Sequence, residues 1–248
     1  MKKWIEFMTK IPDQPQDIFV PLTQDYLKVF GKELLSLIMY GSAAGGSYIR
    51  GKSDINLLVV LTPFGMDKFT DILDTVNSWK KRHVAVPLVM TKDFIASSLD
   101  SYPIEFLNMK NSHILIYGEN MLDGLNFNLA DLRLQIEREL RGKLILLREG
   151  YLKAEGKPKQ LRQLIGNSLT AFISVFNALL YFKQGKAPQG RRDTIKEVGK
   201  LFTIDTAVFM LCADIKEGKD KLSGGEVVDI FRKYLQEVNN ICNIIDRL

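Results

Sequence analysis

The chain has 248 residues, 46% hydrophobic and 25% charged, ordinary globular proportions that allow one large domain or two small ones with a sizeable core. Two cysteines without a CxxC, Cys212 and Cys242, exclude a disulfide framework and a cysteine-based zinc site, and His83 and His113, thirty residues apart, speak against a His-rich metal centre. The net charge is +5: the first 120 residues carry 13 basic and 13 acidic residues and the rest carry 21 and 16, which suits an anionic ligand or partner but falls well short of a nucleic-acid-binding footprint.

At the N-terminus, Lys2 and Lys3 look like a signal-peptide start, but Glu6 and Lys10 interrupt the run that would be its apolar region. With two free thiols, the expectation is a cytoplasmic protein. Residues 17–33 place Ile18, Phe19, Leu22, Tyr26, Leu27 and Phe30 on one helical face. Leu34 to Tyr40 and Ile55 to Leu61 are short aliphatic runs bounded by Gly, Ser or Pro, which predicts buried strands. Met66 to Arg82 returns to helical spacing through Phe69, Ile72, Leu73, Val76 and Trp79. Val84 to Met90 is a third strand, demoted by Pro87 toward an edge or an irregular strand. Thr91 reads as the N-cap of a short helix, and Ile114 to Tyr117 as a fourth strand stopped by Gly118.

The second half reads as helices only, over about 129–154, 159–184, 191–202 and 205–217, with a last helix capped by Ser223 and Glu226 and running to about 246. The helix at 159–184 is apolar over much of its circumference, as the central member of a bundle would be. Its most apolar stretch, Leu169 to Phe182, is shorter than the roughly 20 residues of a membrane span and contains Ser174 and Asn177, so no membrane partner is expected. Gly118 to Asn128 is the linker-like segment, which divides the chain into domains at 1–122 and 123–248.

One stretch carries the chemistry. A strand ends in Gly41-Ser42, a turn holding Gly45, Gly46 and Gly51 follows, and a second strand opens with Asp54-Ile55-Asn56. Strand alternation puts Asp54 and Asn56 on one face. A Gly-rich turn lets backbone N–H groups approach phosphates, and a carboxylate beside it can hold a magnesium ion that bridges them.

This pattern resembles the nucleotidyltransferase superfamily that includes DNA polymerase beta, poly(A) polymerases and the aminoglycoside nucleotidyltransferases. Its signature is a strand ending in Gly-Ser or Gly-Gly, a gap of about ten to thirteen residues, then an acidic, an apolar and a second acidic residue. Gly41, Ser42 and Asp54 match. Tyr117-Gly118-Glu119-Asn120 looks like the end of the catalytic domain in antibiotic-modifying members, and the resemblance covers about residues 15–125. It implies an α/β fold: an N-terminal nucleotidyltransferase-like mixed sheet with flanking helices, then a C-terminal helical bundle. It also implies transfer of an NMP from a Mg²⁺-bound nucleoside triphosphate, ATP first among them, to a hydroxyl of a small molecule or a protein.

The sequence departs from the signature at Asn56, which stands where the second carboxylate belongs. The family's third carboxylate lies on a later strand, and Val84 to Met90 contains no acid. Asp93, Asp100 and Glu105 follow it, and only Glu105 sits in a short apolar frame. A surface or capping role is the commoner fate of such a residue. The expected catalytic set is therefore Asp54, Asn56 and Glu105, with Asp54 and Asn56 on the metal. Gly41, Ser42, Gly45, Gly46, Ser47, Lys52 and Ser53 are the expected nucleotide cradle. Arg50 reads as a solvated loop residue. Arg138, Arg141 and Lys143 face either a nucleotide or the neighbouring Glu137 and Glu139, and Arg191-Arg192 read as a surface pair at a helix start. His83, at a helix end, reads as a cation favoured by the helix dipole and not as a catalytic base. Trp4, Trp79 and Thr23 to Tyr26 read as core or surface. The competing function is a catalytically degenerate member acting as a nucleotide-binding or protein-interaction module, because two of three acids are missing. A nucleic-acid partner is not favoured.

Overall fold

The structure is a computed structural model that describes residues 11–247. Trp4 and the charged N-terminal residues lie outside the described residues. Two compact units are present. The first comprises residues 1–99 and 106–126, the second residues 100–105 and 127–248.

In the first unit, a 3-10 turn (Pro15–Ile18) leads into helix α1 (Phe19–Phe30), which ends at Gly31 with φ of 54°. Strand β1 (Leu34–Tyr40) pairs antiparallel with β2 (Asn56–Leu61) and with β4 (His113–Gly118), while β3 (Leu88–Thr91) pairs parallel with β2. The order is β3-β2-β1-β4, a mixed sheet. Both faces of its centre are buried: Leu37, Met39, Leu57 and Val59 join the core with Leu22, Tyr26, Phe30 and Trp79, and Ile38, Leu58 and Val60 are fully buried too. That is why β1 and β2 read as continuous apolar runs rather than as alternating ones.

Three elements depart from the periodicity. The expected helix at 66–82 is broken into α2 (Pro63–Met66), a 3-10 turn (Phe69–Ile72) and α3 (Leu73–Lys80). Helical spacing of apolar residues survives such breaks, so periodicity alone overlooks them. The expected strand at 84–90 is reduced to Leu88–Thr91, with Val84 held only by an isolated bridge to Ile55. Pro87 has no N–H to give the ladder, and the strand starts just after it, at the sheet edge. Helix α5 (Pro103–Asn111) was not foreseen, although Pro103 at its first position is a start signal. Thr91 does cap the short helix α4 (Lys92–Ser97), its hydroxyl accepting from the Phe94 N–H at 3.1 Å.

The second unit is helical: α6 (Leu129–Ala154), α7 (Pro158–Gln184), α8 (Arg191–Leu201), α9 (Thr206–Glu217) and α10 (Gly224–Ile245). α7 is its core. Leu169, Phe172, Phe176 and Leu180 are fully buried, with edge-to-face contacts from Phe172 to Tyr234 and from Phe176 to Phe209. At 27 residues the helix is longer than its most apolar stretch, and by length and composition it is long enough to cross a membrane. Here half of its most apolar window is buried within the protein, as in a core helix. The capping box of α10 is formed by Ser223 and Glu226. The α/β architecture with a helical C-terminal part thus agrees with the reading of the sequence.

Candidate functional site

β1 delivers the chain into the Gly-Ser turn. Gly41 adopts φ of 78°, a left-handed conformation natural only to glycine, and the chain tightens into a 3-10 turn over Gly41–Ala43. Ser112, just before β4, clamps Gly41 from both sides. Gly41 N–H donates to the Ser112 carbonyl at 2.9 Å, and the Ser112 hydroxyl donates to the Gly41 carbonyl at 3.1 Å. A Cβ on Gly45 would lie 2.6 Å from the Ser112 hydroxyl. The glycine at 45 is therefore a close-packing residue as well as a phosphate-approach candidate.

The turn is partly self-satisfied. The N–H groups of Ala44 and Gly45 donate to the Gly41 carbonyl, and Ser47 N–H donates to the Ser42 carbonyl at 3.0 Å. These three donors are turned inward, so the turn is not a full ring of amides open to a phosphate. Ser42, Gly46, Ser47 and Lys52 are exposed. Ser53 closes the loop instead, its hydroxyl accepting from Ile49 N–H at 2.9 Å, and Arg50 pairs with Asp13 at 2.9 Å.

β2 brings Asn56 opposite Tyr40, the residue before the turn. The Asn56 amide abuts Gly41, with its nitrogen 3.3 Å from the position a Gly41 Cβ would take. Ile55 is fully buried, and Asp54 before it is exposed, with 70% of its side chain accessible. Asp54 and Asn56 thus flank a buried Ile55, as alternation requires.

Glu105 lies in the other unit. It is an exposed residue in the first turn of α5, it groups with the second unit, and its carboxylate accepts from the Gln135 amide at 2.7 Å. The apolar frame Tyr102–Phe106 belongs to a helix, where neighbouring residues point in different directions and a flanking apolar residue does not imply burial. Among the described residues, no three His, Cys, Asp or Glu side chains gather as a metal-binding group.

Sequence reasoning set His83 aside, and the structure places it beside Asp54. Its Nδ1 lies 3.9 Å from the Asp54 Oδ1, with 35% of its side chain exposed. The position depends on a β2–β3 crossing that no local pattern announces; the available signal was the left-handed seat at the end of a helix.

Mg²⁺ takes oxygen ligands, commonly one or two carboxylates with substrate phosphates and water. One carboxylate and one amide are oxygen donors of the kind Mg²⁺ takes, and phosphates of a nucleotide would have to supply further oxygens. A hollow of about 440 Å³ lies elsewhere in the first unit, lined by Ile95, Leu99, Met121 and Leu125, with Lys92 and Glu119 paired at 3.3 Å on its rim. Neither the Gly41–Ser42 turn nor Asp54 or Asn56 lines it, whereas Glu119 and Asn120 do.

In the second unit four of the basic candidates are engaged. Arg141 pairs with Glu137 and Asp246, and Lys143 pairs with Glu139 at 2.5 Å. Arg191 and Arg192 are half-buried rather than a surface pair, held by Glu217 and, for Arg192, by Asp214 at 2.6 Å.

No family model matches the chain, and no curated protein matches it. Among solved structures it resembles the spectinomycin adenyltransferase AAD(9) from Enterococcus faecialis, crystallised with ATP and spectinomycin. The TM-score is 0.52 at 12% identity, over 89% of this chain and 98% of that one. The chain has a nucleotidyltransferase-like fold. That likeness extends over the helical half as well as the sheet, beyond the stretch that carries the motif.

Proposed function

We propose that the protein is a nucleotidyltransferase that binds ATP at the Gly41–Ser42 turn and transfers AMP to a hydroxyl of a small molecule. The observation that carries this reading is the placement of Asn56 against Gly41 on the neighbouring strand, with Asp54 two residues before it, within a fold like that of an adenyltransferase. The acceptor hydroxyl gives its proton to solvent water as its oxygen attacks the α-phosphorus, a new P–O bond forms, the bond from the α-phosphorus to the oxygen bridging to the β-phosphorus breaks, and pyrophosphate leaves. Mg²⁺, when bound, neutralises phosphate charge and favours the attacking alkoxide. Asp54 would hold the cation, the Asn56 amide would supply a neutral contact beside Gly41, and Ser42, Ser47 and Lys52 would receive phosphate oxygens. Asp54→Ala is expected to abolish transfer of labelled AMP across a panel of aminoglycoside-like polyols, while leaving the thermal midpoint nearly unchanged because Asp54 is exposed. Transfer at the wild-type rate would refute the assignment.

A second reading is favoured by one specific observation: Asn56, two residues after Asp54 where the signature has a second carboxylate, carries no charge. The protein is then a nucleotide-binding module without turnover. In that case ATP raises the thermal midpoint, no AMP is transferred, and Asn56→Asp strengthens Mg²⁺-dependent ATP binding.

A further inference from the structure

We propose that His113 is a proton-operated latch. As a neutral imidazole it holds the segment after β4 through Asn120, and on taking a second proton it releases Asn120 and turns to Asp123. The latch lies within the first unit and is independent of the nucleotidyl-transfer reading.

The surrounding hydrogen bonds fix which nitrogen carries the ring proton. His113 opens β4 opposite Tyr40 of β1, and its side chain is 11% exposed. Its Nδ1 lies 2.9 Å from the Lys110 carbonyl at the end of α5. A carbonyl only accepts, so Nδ1 carries the hydrogen. Its Nε2 lies 3.0 Å from the Asn120 amide nitrogen. The amide oxygen is already committed, because it accepts from Leu122 N–H at 3.1 Å. Asn120 therefore donates to Nε2, which must be bare to accept. The ring is the neutral Nδ1–H tautomer, with both nitrogens satisfied.

A second proton, taken from solvent onto Nε2, does not fit that arrangement. The new N–H faces the N–H of Asn120, two donors with no acceptor between them. Flipping the amide gives the new N–H an oxygen, but it then sets the amide nitrogen against the Leu122 N–H. Either way one bond of the Asn120 turn is lost, at a residue whose neighbour Leu122 is fully buried. A replacement acceptor stands ready: Asp123 Oδ1 lies 3.4 Å from Nε2, on a side chain that is 71% exposed and free to close the gap. Among the described residues, Asp123 is the sole carboxylate within ion-pair distance of the ring. The other titratable groups around it are engaged or buried. Lys110 donates to the Leu125 carbonyl at 2.7 Å, Glu119 pairs with Lys92 at 3.3 Å, and burial raises the Tyr40 phenol. On the other face of β4, Ile114 and Ile116 pack against the core.

The latch controls one wall of the hollow beside α4, which Asn120, Met121, Gly124 and Leu125 help to line. Lys110 pins this segment at Leu125, and His113 pins it at Asn120. Losing the second pin lets the wall move, so the shape of the hollow follows the proton content of one imidazole.

The chain has two histidines, so the test is direct. The ¹⁵N-labelled protein is followed by NMR from about pH 8 to 5, the range in which an imidazole changes charge. The imidazole signals of His83 are assigned by their loss in His83→Gly, and the remaining pair belongs to His113. The Leu122 amide and the Asn120 side-chain amide should move with the same midpoint as His113, in the wild type and in His83→Gly alike. Two variants should then shift that midpoint in opposite directions, by about half a pH unit or more. Asp123→Asn removes the acceptor of the charged ring and should lower it. Asn120→Ala removes the donor to the neutral ring and should raise it. A merely structural role for either residue would not produce opposite signs, and Asp123 is exposed, so its variant tests the latch without endangering the fold. A Leu122 signal that stays fixed through the His113 transition, an imidazole that keeps one form across the range, or an Asp123→Asn midpoint that is unchanged or higher would each overturn the proposal.

Discussion

At the turn, single atoms decide what each residue contributes. Ser112 lies 71 positions from Gly41 in sequence, yet its backbone and hydroxyl hold Gly41 by two hydrogen bonds. The same hydroxyl fills the space beside Gly45. Gly45→Ala is therefore expected to destabilise the protein by about 1–3 kcal/mol through overpacking. Ser112→Ala in the Gly45→Ala background should recover part of that loss, since the next nearest atoms, the Gly41 carbonyl oxygen at 3.5 Å and the Ser112 Cβ at 3.8 Å, are at ordinary contact distance. A double-mutant cycle in urea checks this, and additive losses would show that the two side chains do not meet. Asn56 and Asp54 illustrate the opposite case. Their alternation around Ile55 is visible in three letters of sequence, whereas the pairing of Asp54 with His83 is not, because it depends on where the chain goes after α3.

Among the elements, the junction of α8 and α9 carries the densest ion pairing. Glu217 accepts from Arg192 at 2.9 Å and from Lys219 at 2.8 Å, and those hydrogen bonds, Arg192 foremost, hold its carboxyl down at about 2. The carboxyl titrates near 4.5 when unpaired. A depressed folded value stabilises the protein above the unfolded one and stops doing so as pH falls through the folded one. This contribution is complete near neutral pH and is lost between about pH 4.5 and 2. Glu217→Gln is expected to lower stability by about 1–3 kcal/mol at pH 7 and to flatten the acid limb of the stability curve in that window. Denaturant titrations at pH 7 and at pH 3 check both. Equal losses at the two values would show that the Glu217 charge is not the stabilising element. The Arg191-Arg192 pair thus anchors one helix to the next, a role its place at a helix start did not suggest.

At the scale of the whole molecule, the two cysteines report on the core. Cys212 is fully buried, and burial pushes its thiol up to about 12; Cys242 is buried as well and its thiol is also raised, chiefly by burial. Both thiols should resist alkylation in the native state and react together only on unfolding, as a thiol-reagent time course in rising urea would show. Fast native labelling of either would contradict the packing of α9 or α10. Much of the architecture was legible beforehand. Apolar runs too short for helices and bounded by Gly and Ser predicted β1 and β2, and long 3.6-residue periods predicted the helices of the second unit, because burial of one face writes itself into local spacing. The Gly41-Ser42 turn and the Asp54-Ile55-Asn56 alternation were legible for the same local reason. Long-range placement was not. The Ser112 clamp and the approach of His83 to Asp54 arise from contacts between segments distant in sequence. Local sequence determined most of the strands and helices and which residues are candidates to bind phosphate or metal. The tertiary structure alone decided which of those residues meet, because strand order and chain crossings leave no periodic trace.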